Sequence, residues 1–142
     1  MTAEAALQFL LEHQPMPADR ELTDQDGKVF AAVLSYFENH PDPRCLPLLI
    51  RSVSRDTGLG MYEHIKFVLM AQNREEVIRH LRACLQDGDE GVKYRCCWWA
   101  SDVDAWELED LIRPLTAHPD EEIREAAESF LELRAELGQR RE

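Results

Sequence analysis

The chain has 142 residues, of which 44% are hydrophobic and 31% charged, and its net charge at pH 7 is −12. This length suits a single domain over residues 1–142, which buries roughly 68% of its unfolded surface without needing a disulfide or a metal. So acidic a surface repels nucleic-acid phosphates, and no apolar run approaches the ~20 residues that span a membrane. Residues 1–12 contain no basic residue, unlike the start of a secretory signal. We therefore expect a cytoplasmic protein that binds neither nucleic acid nor membrane.

The acidic charge is unevenly distributed along the chain. Counting acidic against basic residues gives net charges of −5 for residues 1–40, +2 for residues 41–86 and −9 for residues 87–142. An acidic surface attracts a basic partner and speeds the encounter, although acidity can also serve solubility alone.

The first predicted elements form an irregular helix pair within residues 1–40. Residues 2–13 have the spacing of an amphipathic helix, and the loop 14–22 contains two prolines. A second helix is predicted over 23–39, with Thr23 or Asp24 as its N-cap. The extra loop is typical of the atypical unit that caps a repeat stack.

From residue 30 onward, apolar residues recur every 31 positions. Two such series lie four residues apart, on one face of each predicted second helix: Phe30, Met61, Val92 and Ile123, then Leu34, Ile65, Cys96 and Ala127. The period predicts three regular repeats, 41–73, 74–103 and 104–137, each a pair of short amphipathic helices. First helices are predicted near 43–54, 75–86 and 106–117, and second helices near 60–72, 91–102 and 122–136. The remaining residues, 138–142, are predicted to form a flexible tail.

The repeats resemble those of HEAT proteins. The resemblance lies in a D-x-x-[VI]-[RK]-x-x-[AC] pattern at residues 89–96 and 120–127, and it covers residues 40–136. It implies an all-α fold, a right-handed α-α superhelix of about four antiparallel helix pairs. It also implies that Asp89 and Asp120 cap the second helices, and that Lys93 and Arg124 pair with neighbouring repeats. The repeat around Gly58 lacks both the Asp and the basic residue.

Residues of the second helices that lie off the predicted core face are the candidate partner-binding residues. They are Tyr62, Glu63, Lys66, Phe67, Tyr94 and Trp98. Second helices line the concave side of such stacks, and exposed aromatic residues ringed by charge are typical of interaction surfaces. The alternative is that Phe67 and Trp98 pack against the next repeat. Trp99 falls in the core series.

The connector between the last two repeats is a second candidate. It contributes Asp102, Asp104, Trp106 and Glu107, an acidic cluster with an aromatic anchor. The alternative is a capped turn, in which Asp104 starts a helix and Trp106 fixes it.

Residue types arranged for catalysis or for cofactor and metal binding are not evident. The five histidines are scattered, and Cys45, Cys84, Cys96 and Cys97 form no C-x-x-C pair, which favours reduced thiols. The sequence contains no phosphate-binding Gly-rich loop and no nucleophile elbow. We therefore expect a protein without enzymatic activity and without a cofactor.

These features predict a protein-binding scaffold. Its resemblance to small acidic HEAT-like antidotes implies an immunity protein that occludes a basic cognate toxin domain. An assembly or regulatory adaptor for a host protein is the alternative. Less favoured are a HEAT-like tetrapyrrole lyase or chaperone, which would recruit Cys96 and Cys97, and a HEAT-like DNA glycosylase, which needs a basic groove.

Overall fold

The computed structural model describes the backbone of residues 1–141 and the side chains of residues 1–138. The described residues form eight α-helices and no strand, which confirms an all-α fold. The helices are α1 (Ala3–Glu12), α2 (Asp24–Asn39), α3 (Cys45–Ile50), α4 (Ile65–Ala71), α5 (Arg74–Asp87), α6 (Glu90–Asp102), α7 (Glu109–Ile112) and α8 (Glu121–Arg141). Short 3₁₀ helices lie at 19–21, 61–64, 106–108 and 113–117.

The predicted N-caps are observed. The side chains of Thr23, Asp89 and Asp120 accept hydrogen bonds from backbone N–H groups in the first turns of α2, α6 and α8. Each bond satisfies a donor that has no partner within its helix, so these residues fix where the helices begin.

Two predicted first helices are shorter or less regular than the sequence pattern indicates. The helix expected over 43–54 ends at Ile50, and the helix expected over 106–117 is divided between α7 and two 3₁₀ segments. Pro114 lies at the start of the second 3₁₀ segment, where its missing N–H and its ring are incompatible with a continuing α-helix.

The last helix is longer than predicted. Helix α8 continues to Arg141, so residues 138–141 of the predicted flexible tail are helical, and Glu142 lies outside the described residues.

The helices pack in two layers. Helices α1, α3, α5 and α7 each contact the next in that order, and α2 contacts α4 while α6 contacts α8. The layers join where α1 packs on α2, α5 on α6 and α7 on α8. Between α4 and α6 there is little backbone contact. The layer formed by α2, α4, α6 and α8 is therefore opened between its two middle helices.

One hydrophobic cluster runs between the layers from Ala6 to Phe130. As the period predicts, Trp99 belongs to it and is only 2% exposed. All four cysteines are buried and unbridged. Within the described part of the chain, no helix is both long and apolar enough to cross a lipid bilayer.

Candidate binding surface

A groove of about 310 Å³ lies between α4 and α6, and the 3₁₀ turn at 61–64, which precedes α4, forms one end of it. We refer to it as the α4–α6 groove. Its lining residues are Tyr62, Glu63, Lys66, Tyr94, Arg95, Trp98, Trp99 and Asp102. The structure thus brings six of the ten predicted binding residues to one place, although they come from two predicted repeats.

Tyr62 was predicted to face away from the core, and this prediction is wrong, because its side chain is fully buried. Its ring packs edge-on against Phe30, with 6.1 Å between ring centroids, and burial raises the pKa of its hydroxyl. The loop before it closes over the ring at Gly58, where φ is +61° and a Cβ atom would lie 2.6 Å from the tyrosine. Glycine is therefore required at that position, and Tyr62 forms the base of the groove.

Cys97 is 31 residues after Lys66 and 31 before Glu128, positions off the predicted core face, and yet it too is buried. Burial raises the pKa of the Cys97 thiol to about 12, and that of Cys45 likewise to about 12. A thiol with so high a pKa is a poor nucleophile and a poor metal ligand at neutral pH. Among the described residues, no three His, Cys, Asp or Glu side chains are grouped to hold a metal ion.

Two guanidinium groups lie beside the ring of Tyr94, which lines the α4–α6 groove. The guanidinium carbons of Arg55 and Arg95 each lie 5.4 Å from the centre of its ring. Arg95 also donates to the backbone carbonyl of Asp56 at 3.0 Å. Cation–π contacts with both guanidinium groups restrain the ring, so Tyr94 is both a groove residue and a structural one.

Arg55 forms a contact between predicted repeats of the kind that Lys93 and Arg124 were expected to form. It donates hydrogen bonds to the carboxylates of Asp120 and Glu122 at the start of α8. Arg124 instead donates to the carbonyls of His118 and Pro119 in its own repeat. This contact comes from the connection after α3, which lies between the two helices predicted for its repeat.

The α4–α6 groove carries balanced charge. Glu63 and Asp102 contribute carboxylates, and Lys66 and Arg95 contribute cations. Desolvation raises the pKa of Asp102, as does the nearby Glu63 to a smaller degree, while Lys66 opposes the shift. No ion pair within 4 Å involves these four side chains among the described residues.

A second groove of about 250 Å³ lies between α6 and α8, on the other side of Trp98, and we refer to it as the α6–α8 groove. It is lined by Trp98, Ser101, Ser129, Glu132, Leu133 and Glu136. Sequence reasoning did not include Glu132, Leu133 and Glu136 among the binding residues. Glu132 and Leu133 follow Ser101 and Asp102 by 31 residues, so the period could have identified them as equivalent surface positions.

Exposed apolar side chains are concentrated along the layer that contains these grooves. Phe67 is 44% exposed, Met70 53%, and Trp98 and Leu133 37% each. Phe67 and Trp98 are therefore not fully covered by the neighbouring predicted repeat, although Trp98 is partly buried beside α8. Trp98 lines both grooves and packs edge-on against Tyr94, with ring centroids 6.5 Å apart.

The connector residues do not form a single cluster. Asp104 has a left-handed φ of 55° and precedes the 3₁₀ helix at 106–108 rather than starting an α-helix. Trp106 packs on Phe130 with ring centroids 5.0 Å apart, and Glu107 accepts a hydrogen bond from Arg74 at 2.9 Å. These contacts favour the interpretation of the connector as a structural turn.

No protein-family model matches the chain, and searches of curated proteins and of solved structures find no significant match.

Proposed function

We propose that this protein is a HEAT-like, non-catalytic scaffold that binds a basic protein partner on the layer containing α4, α6 and α8. The observation that carries the proposal is the set of exposed apolar side chains, with Trp98 at its centre, on that layer. Tryptophan is among the residues most enriched at energetic hot spots of protein interfaces. The two-layer packing of short helices supports the HEAT-like assignment.

The shape and charge of this surface favour a macromolecular partner over a small ligand. The two grooves beside Trp98 measure about 310 and 250 Å³, at or below the lower end of the range for small-molecule pockets. Each is suited to a few protruding side chains of a protein. Helix α8, whose described exposed carboxylates include Glu128 and Glu132, favours a partner of positive charge.

The most concrete form of the proposal is an immunity protein acting in the cytoplasm. It would occlude a basic toxin domain, with its carboxylates steering the encounter and Trp98 anchoring the complex. This form depends on the resemblance to acidic HEAT-like antidotes. A regulatory or assembly adaptor would use the same surface, and only the identity of the partner separates the two.

Affinity capture tests the proposal. The tagged protein is expressed in its native cell beside two single variants, Trp98→Ala and Leu11→Ala, and captured proteins are quantified by mass spectrometry. Leu11 is a matched control because it is an exposed apolar residue, 58% exposed, on the opposite layer. We expect a basic protein that is retained by Leu11→Ala and lost by Trp98→Ala. Equal recovery by both variants, or recovery of acidic proteins only, contradicts the proposal.

A further inference from the structure

We propose that the α6–α8 groove binds a basic amphipathic helix of the partner. Trp98 and Leu133 would contact the apolar face of that helix, while Glu132 and Glu136 would pair with its lysine or arginine side chains. This inference rests on the proposed function and deepens it by naming the groove and the kind of partner element.

Charge distinguishes the α6–α8 groove from its neighbour. Of the six described residues that line it, the charged ones are Glu132 and Glu136, both acidic. In the α4–α6 groove, the cations Lys66 and Arg95 offset the two carboxylates. A cationic segment is therefore attracted to the α6–α8 groove without a compensating repulsion.

The spacing of carboxylates along α8 matches a helical partner. Glu128, Glu132 and Glu136 are all exposed and follow one another at intervals of four residues. Four residues of an α-helix advance by roughly 6 Å, so these groups form a row at about one-turn intervals. A partner helix with basic residues at i, i+4 and i+8 presents its charges at the same intervals.

The floor of the groove also favours a helix over an extended segment. Ser101 and Ser129 are small, and the Ser101 hydroxyl donates to the carbonyl of Cys97 within its own helix. Small residues allow a partner helix to approach closely over the groove where α6 and α8 meet. An extended segment would need backbone partners, which the internally bonded helices do not offer, whereas a helix satisfies its own backbone.

A fluorescently labelled 20-residue peptide tests the inference. The probe carries leucines on one helical face and lysines elsewhere, and a scrambled peptide of the same composition lacks the apolar face. Binding of both to the full-length protein is measured by anisotropy at low ionic strength. Three double variants change the net charge equally: Glu132→Lys/Glu136→Lys in the α6–α8 groove, Glu63→Lys/Asp102→Lys in the α4–α6 groove, and Glu38→Lys/Glu75→Lys away from both.

We expect the α6–α8 variant to weaken binding of the amphipathic peptide about 10-fold or more, and the other two about 3-fold or less. Circular dichroism checks that all variants keep their helices, which the similar helix propensities of Glu and Lys favour. Equal effects of all three variants, equal binding of the scrambled peptide, or no binding of the amphipathic peptide overturns the inference.

A larger effect of the α4–α6 variant also overturns it, by placing the helix in the wrong groove. None of these peptide results decides the proposed function. That proposal is tested by affinity capture, in which Leu11→Ala should retain a basic protein that Trp98→Ala loses.

Discussion

The two grooves on either side of Trp98 are built differently. The α4–α6 groove has Tyr62 buried at its base and Tyr94 in contact with Arg55 and Arg95, so its walls also support the fold. The α6–α8 groove is lined by exposed side chains and two small serines, with acidic residues at its edge. Aromatic residues that are close together in sequence can therefore divide between stability and binding. Substitutions in the first groove should therefore alter stability, and substitutions in the second should alter binding.

The largest expected effect is on stability at the base of the α4–α6 groove. Tyr62→Ala removes a fully buried aromatic side chain and leaves a cavity, so we expect a loss of about 3–5 kcal/mol in the free energy of unfolding. Leu133→Ala, in the other groove, should cost less than about 1 kcal/mol because Leu133 is 37% exposed. Urea denaturation followed by circular dichroism measures the free energy of unfolding of both variants. Equal losses of stability would contradict the difference that we infer between the two grooves.

The next largest effect concerns partner binding at Trp98. Trp98→Ala should weaken the affinity for the captured partner by about 30-fold or more, as expected of a hot-spot residue, while the melting temperature changes little. Titration calorimetry beside Leu11→Ala provides the comparison. A fall in melting temperature with unchanged affinity would assign Trp98 to the fold instead.

A smaller effect is expected at Arg55, which contacts Tyr94 in the α4–α6 groove and two carboxylates at the start of α8. Arg55→Gln removes its hydrogen bonds to Asp120 and Glu122 and its contact with Tyr94, and should lower the melting temperature by roughly 2–4 °C. Arg79→Gln is the control, since among the described residues Arg79 bonds only to Glu76, one turn away on α5, and should change the melting temperature less. A larger fall in melting temperature for Arg79→Gln than for Arg55→Gln would contradict the stabilising role of Arg55.

The same substitution predicts a change in pH dependence. The hydrogen bond from Arg55 holds the pKa of Asp120 below its ordinary value of 3.8. The interaction therefore stabilises the fold above that ordinary value and is lost as the pH falls through the lowered pKa. Thermal melts across this acid range should show a smaller loss of stability in Arg55→Gln than in the native protein. If the melting temperatures of the two proteins fall in parallel as the pH is lowered, Asp120 is not coupled to Arg55.

The smallest effect is expected at Asp102. Its pKa is raised by desolvation and by Glu63, so the ionised form costs stability above the raised pKa and the cost disappears below the ordinary value. Asp102→Asn should therefore stabilise the protein at neutral pH by less than about 0.5 kcal/mol. Glu132→Gln, in the α6–α8 groove, is the matched control and should leave stability unchanged. Destabilisation by Asp102→Asn would show that the carboxylate has a structural role.

The sequence predicts the parts of the fold that local signals determine. Asp89 and Asp120 mark where α6 and α8 begin because each is an N-cap, and the apolar series identifies Trp99 as core because burial follows the helical period. The long connection after α3 has no such signal. Its fold over Tyr62 and its contact through Arg55 depend on tertiary packing, which periodicity does not encode.

The candidate site was predicted in part. The outward-facing positions of α4 and α6 gave Phe67 and Trp98, both exposed in the structure. Leu133 was not among the predicted binding residues, all of which precede α8.

Side-chain oxidation footprinting of the protein, alone and bound to its captured partner, tests the central claim most directly. Trp98 and Met70 are readily oxidised and exposed on the binding layer, while Met1 is exposed at the N-terminus. Our account predicts that the partner strongly protects Trp98, protects Met70 less, and leaves Met1 unchanged. Unchanged oxidation of Trp98 in the complex would contradict the claim that this layer is the binding surface.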